Sequence, residues 1–191
     1  MKFDAPVAVI WGLWILFLVY WAISARKSKK AKRRESVAQR LGYILPLVLT
    51  FVLLSRPEVN LGWLSTRLLP FNLTVRWTGA VLAAGGIAIC LWARRHLGTN
   101  WSGTVTLKEG HELIRSGPYR AIRHPIYSGI LLALLGTAVE IGQLRAFAAV
   151  IVAWISFYLK ARREESFLTD EFGEKFRTHA QHTGMFLPRF S

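Results

Sequence analysis

The chain has 191 residues, room for one domain, and 52% of them are hydrophobic, with a mean hydropathy of +0.30 that lies well above what a soluble domain of this size carries. Its net charge of +14 would suggest nucleic acid in a soluble protein, but much of that charge lies within a few residues of apolar segments, where anionic headgroups attract it, so membrane lipids and no nucleic acid are the expected partners. The single cysteine, Cys90, excludes an internal disulfide, and the absence of CxxC, HExxH, GxGxxG and GxxxxGK spacings argues against a metal site and a soluble-type nucleotide fold.

Residues 5–24, 41–55, 75–92, 126–139 and 146–159 hold hardly a charge, and each is near the roughly 15 to 20 residues that a hydrocarbon core of about 30 Å demands of a helix. The fold expected is an all-α integral membrane protein of about five transmembrane helices. The first segment is read as an anchor rather than a signal peptide, because the basic cluster Arg26, Lys27, Lys29, Lys30, Lys32, Arg33 and Arg34 follows the apolar run and no small-residue cleavage site intervenes. Positive charge after the first, third and fifth segments predicts an outward N-terminus and a cytoplasmic C-terminus. The chain is read as a single domain: residues 1–92 for the first three membrane helices, 93–125 for a cytoplasmic loop, 126–160 for a helical hairpin and 161–191 for a cytoplasmic C-terminal segment. Cys90, inside the third apolar run, is expected to be a buried packing residue.

Chemistry is sought in the polar segments. Residues 98–125 are broken by glycines and a Gly-Pro pair and read as an interfacial loop ending where Pro125 starts the fourth helix, with His124 at its cap. Non-helical backbone at membrane depth survives only where it lines a cavity or is buried in protein, so this loop suggests a pocket. KARREE follows the fifth helix directly and places Lys160 and Glu164 on one face, with Glu165 adjacent. After it, Leu168, Phe172 and Phe176 recur every four residues, as on an amphipathic helix. Because a hairpin brings its ends together, Arg123, His124 and Tyr127 are expected beside Lys160, Glu164 and Glu165.

The ordered set NWS (100–102), GHELI around His111, GPY (117–119), RHPIY (123–127), EE (164–165), FG (172–173) and TGMFLP near the end resembles the integral-membrane isoprenylcysteine carboxyl methyltransferases. The likeness covers roughly the C-terminal half, and GPYxxxRHPxY by itself is shared with phospholipid N-methyltransferases. It implies S-adenosylmethionine as methyl donor, held by residues matching His111, Glu112, Leu113, Ile114, Tyr119, His124, Pro125, Tyr127 and Glu164, and a lipophilic or prenylated acceptor oriented by a cation four residues before that glutamate. Where the family carries arginine there, this chain has Lys160, a point charge in place of a bidentate fork. Either lysine suffices, or Arg162, Arg163 or Arg123 substitutes, or the acceptor differs. Lys160, Arg123 and Glu165 are the catalytic candidates. A carboxylate acceptor is already ionised and needs positioning and desolvation, whereas an amine acceptor would need His124 or Glu165 to take a proton. A cationic donor wants tyrosine faces and a carboxylate, which Tyr119, Tyr127 and Glu164 offer. A phospholipid or small-molecule methyltransferase and a non-catalytic membrane protein of the same fold are the alternatives.

Overall fold

Residues 4–26, 31–55, 59–101, 104, 106–108 and 112–189 are described by a computed structural model of the chain. Each expected apolar segment forms a helix. α1 (Ala5–Ala25) has Pro6 in its first turn, where a missing N–H costs nothing. α2 (Val37–Ser55) and α3 (Leu73–Leu97) follow, and α3 opens with the Asn72 side chain accepting the Val75 N–H at 2.9 Å. α4 (Pro125–Ile141) and α5 (Leu144–Phe172) form the expected hairpin, turning at Gly142, whose φ of 69° lies in the left-handed region that suits glycine. α6 (Glu174–His182) is short and ends the helical part.

By length and composition, four helical segments among the described residues can cross a membrane, Ala5–Ala25, Val37–Ser55, Leu73–Asn100 and Leu144–Phe172, and α4 is a shorter apolar helix of 17 residues. The fifth helix differs most from its expected length. It runs 29 residues, past the boundary expected at residue 160, because nothing between Leu144 and Phe172 is glycine or proline and the polar KARREE stretch forms helix readily. Leu168 and Phe172 therefore belong to α5, and Phe176 to α6 across the break at Gly173. A change from apolar to polar side chains alters what surrounds a helix without ending it. A short antiparallel ladder, β1 (Ala31–Arg34) with β2 (Thr106–Lys108), joins the basic stretch after α1 to the loop between α3 and α4.

Small residues let α3 and α4 approach closely: a Cβ added at Gly79 would lie 2.6 Å from the Gly136 carbonyl oxygen, and Cys90 is buried in the same seam with its Sγ 3.4 Å from the Ile126 carbonyl. At the end of this pair remote from His124, Arg76 is buried and donates to Glu140 from Nε at 3.0 Å and from Nη2 at 2.7 Å, while Nη2 also reaches Asp4 at 2.7 Å. The stretch 140–145 that joins α4 to α5 is helix end and tight turn, with Glu140 and Arg145 buried. Arg145 donates to the Gln143 side chain at 2.7 Å and to the Val59 carbonyl at 3.0 Å, and such partners are what make a buried charge tolerable.

Candidate active site

The polar site forms where three pieces of chain meet. The first is the stretch before α4. A short 3-10 turn, Gly117–Arg120, buries Pro118 and Tyr119, and Gly117 enters it with φ 57°. His124 then occupies the cap position of α4, and Pro125, buried, starts the helix. The second piece is the C-terminal tail, which straps the first in place. The Arg123 N–H donates to the Gly184 carbonyl at 2.8 Å, the His124 N–H to the Met185 carbonyl at 3.1 Å, and the Ser128 hydroxyl to the Phe186 carbonyl at 2.6 Å. TGMFLP thus supplies backbone acceptors, a role that its side chains do not reveal.

The third piece is α5, whose middle passes the start of α4 as the hairpin requires. Arg123 Nε donates to Glu165 Oε1 at 2.7 Å, and its Nη1 donates to the Ala180 carbonyl at 3.0 Å and to that of Thr183. His124 lies between both glutamates, Nε2 3.2 Å from Glu165 Oε1 and Nδ1 3.4 Å from Glu164 Oε2. The Tyr127 hydroxyl donates to Glu164 Oε1 at 2.6 Å. Burial disfavours the charged imidazole of His124, but the hydrogen bonds and charges of Glu164 and Glu165 outweigh it and raise its pKa above 6.5. The rings of His124 and Tyr127 stack at 5.4 Å, and Tyr127 stacks on Phe157 of α5 at 4.8 Å.

Arg123, His124, Tyr127, Phe157 and Glu164 border a cavity of about 210 Å³. Of the residues expected around a donor, Tyr119, His124, Tyr127 and Glu164 line it, and so do Glu112, Leu113 and Ile114 from the loop. Pro125 does not line it and acts by starting α4; His111 lies outside the described residues. Lys160 and Arg123 line the cavity as well, whereas Glu165 stands behind it, holding Arg123 and His124. Sequence reasoning missed Trp21 of α1, Asn100, Phe157 and His179 of α6, all of which line the cavity. Asn100 was within reach, since it opens the NWS motif; Trp21 and His179 carry no local signal and arrive only by packing. His179 is held toward its neutral form by burial and by Arg115, Arg123 and His182.

The arrangement can therefore hold a cation against tyrosine faces and a carboxylate, and hold an anion beside Lys160, inside one cavity with aromatic walls. A bundle of apolar helices with such a cavity at one end has the architecture of an integral membrane protein. The phospholipid methyltransferase family matches residues 74–175, and the chain belongs to that family. It is 34% identical over 146 residues to a cobalt-zinc-cadmium resistance protein of Cupriavidus metallidurans, covering 76% of this chain and 62% of that protein. It is 30% identical over 127 residues to protein-S-isoprenylcysteine O-methyltransferase B of Arabidopsis thaliana, covering 66% of this chain and 60% of that one. The chain thus spans about three fifths of the length of these relatives. Its fold is that of a solved eukaryotic intramembrane Ras methyltransferase, an isoprenylcysteine carboxyl methyltransferase, with a TM-score of 0.62 and 19% identity over 100% of this chain and 71% of the other. The resemblance drawn from the motifs is borne out by these matches.

Proposed function

We propose that the chain transfers a methyl group from S-adenosylmethionine to the carboxylate of a lipophilic, isoprenylcysteine-like acceptor at the membrane interface. The observation that carries this reading is that Lys160 and Glu164, one helical turn apart on α5, face the same cavity together with Tyr119 and Tyr127. When bound, the donor supplies a methyl group on a cationic sulfur. Glu164, Tyr119 and Tyr127 are the residues to hold that cation, and Glu112, Leu113 and Ile114 to contact the rest of the molecule. Lys160, with Arg123, orients the acceptor carboxylate, which needs no base because it is ionised at neutral pH. Glu165 keeps Arg123 and His124 in place and so acts one step back from the reacting atoms. Trp21, Phe157 and Ile130 give the cavity an apolar wall suited to a hydrocarbon tail, which is favoured by roughly 0.8 kcal/mol per CH₂ buried.

The whole chain is one membrane domain in this reading, with the N-terminus outside and the loop before α4 and the C-terminus in the cytoplasm, where a charged donor is available. The basic residues following α1, α3 and the apolar part of α5 support that orientation. A cysteine at Ser36 shielded from an impermeant reagent in intact cells, with one at Gly142 labelled, is the expected result; the reverse pattern inverts the topology. The activity itself is tested with labelled S-adenosylmethionine against prenylcysteine analogues and membrane lipids in parallel. Methylation of prenylcysteine analogues is expected; methylation of lipid amines alone replaces this reading with that of a phospholipid methyltransferase.

A further inference from the structure

An ammonium on a four-carbon stem is flexible and strongly hydrated, so it does not aim itself as a guanidinium fork does. For Lys160 to present its charge in one place, something else has to hold it there. The structure puts Lys160 Nζ 5.0 Å from the ring centroid of Tyr43 and 5.3 Å from that of Tyr127, so two aromatic faces, from α2 and α4, hold the head of a side chain that comes from α5. Both distances lie within the roughly 6 Å at which a cation is attracted to a ring face.

Tyr43 is only 2% exposed and is held at both ends. Its hydroxyl donates to Glu35, itself buried, and its carbonyl accepts the Ser156 hydroxyl at 2.6 Å, one turn before Lys160 on α5. Glu35 is held in turn by Arg40, whose Nε lies 3.8 Å from Glu35 Oε1. The two tyrosines are equivalent in this respect, because the Tyr127 hydroxyl also donates a hydrogen bond to a carboxylate, Glu164. Donation to an anion enriches the ring face in electron density, which strengthens its hold on a cation.

We infer that Tyr43, fixed by Glu35, is a positioning residue that holds the Lys160 ammonium at the cavity. This rests on the reading of Lys160 as the group that orients the acceptor. It extends the site to α2, a helix outside the family match at residues 74–175. Tyr43 lines no part of the cavity and acts only through Lys160.

The test uses the full chain in detergent, with labelled S-adenosylmethionine and N-acetyl-S-farnesylcysteine as probes. Tyr43→Leu is expected to lower kcat/KM for the acceptor about tenfold while donor affinity stays within about twofold, and Tyr43→Phe, which keeps the ring, to recover most of the loss. In a Lys160→Ala background, Tyr43→Leu should cost nothing further, because its effect is routed through the missing ammonium. Full additivity of the two substitutions, or a parallel fall in donor affinity, overturns the inference. A second readout needs no turnover: reductive methylation of lysines, followed by mass spectrometry, should modify Lys160 several times faster in Tyr43→Leu than in the wild type or Tyr43→Phe. Equal reactivity in all three overturns the placement of Lys160 by Tyr43. If the wild-type protein methylates no prenylcysteine probe, the proposed activity fails, and the lysine reactivity still decides the role of Tyr43. Glu35→Gln, which loses the charge but keeps an acceptor for the Tyr43 hydroxyl, should cost no more than Tyr43→Phe, which loses that hydrogen bond altogether; a loss as large as that of Tyr43→Leu counts against the scheme.

Discussion

Charged side chains cluster at both ends of the α3–α4 pair, and the two clusters differ in what their side chains face. Arg76 at the start of α3 is enclosed by Glu140 and Asp4, and none of the three borders the cavity. Arg123, His124, Glu164 and Glu165 at the other end are bonded to one another just as closely, but three of them form part of a cavity wall. The first cluster ties α1, α3 and α4 together. The second trades some of that enclosure for access, since a polar group lining a cavity can exchange one partner for a ligand. Bonding alone does not distinguish a structural cluster from a binding one; the space beside it does.

Removing one partner of the enclosed cluster should have the largest effect. Arg76→Ala strands Glu140 in a buried position, for which roughly 3–5 kcal/mol of lost stability is expected. Thermal unfolding in detergent should show the loss, with donor affinity unchanged in the folded fraction. A normal melting temperature, or a selective loss of donor binding, would erase the contrast between the two ends.

The binding cluster should respond in the opposite way. Alanine at Glu164, Tyr127 or His124 is expected to weaken S-adenosylmethionine binding by about 1.5–3 kcal/mol, roughly ten- to a hundredfold, with a much smaller change in melting temperature. Calorimetry with the three variants checks this, and unchanged affinity in all of them moves the donor elsewhere.

Within that cluster Lys160 separates donor from acceptor. Lys160→Ala should reduce turnover of an acidic acceptor by about tenfold while changing donor affinity far less, and Lys160→Arg should retain or raise turnover through two-point contact with a carboxylate. Intact turnover with collapsed donor affinity would assign Lys160 to the donor.

The smallest effect concerns pH. The folded pKa of His124 is raised, so its contribution to stability is complete below the unfolded value of 6.5 and disappears as pH rises through the folded value. Melting temperature should therefore decline over that interval in the wild type and hardly at all in His124→Gln. Equal slopes in the two proteins would mean that the imidazole is not charged in the fold.

Much of this site was legible because its residues stand beside signals that are local. Pro125 marks the start of a helix, Lys160 and Glu164 are one turn apart, and a hairpin obliges its two ends to meet. Asn100 could have been taken from its motif. Trp21 and Tyr43 could not, because the first two helices carry an apolar pattern that fits any membrane helix, and Glu35 could not, because it stands beside a basic run before α2 that reads as headgroup contact. The length of α5 was misjudged for a related reason: hydropathy reports where lipid ends, and the backbone continues as helix for as long as its residues permit.

By itself the sequence determined a membrane-embedded helical chain, the hairpin of its C-terminal half, and the convergence of RHPIY with KARREE, since each follows from periodicity, chain length and short-range connection. Tertiary structure alone decided which helices face the cavity, that the C-terminal tail supplies backbone acceptors to Arg123 and His124, and that Tyr43 of α2 packs on Lys160. The reason is physical. Helix formation and membrane insertion depend on neighbours within a few residues, whereas the rotation of each helix about its axis is set by contacts with partners up to more than a hundred positions away, such as the bond from Ser156 to the carbonyl of Tyr43.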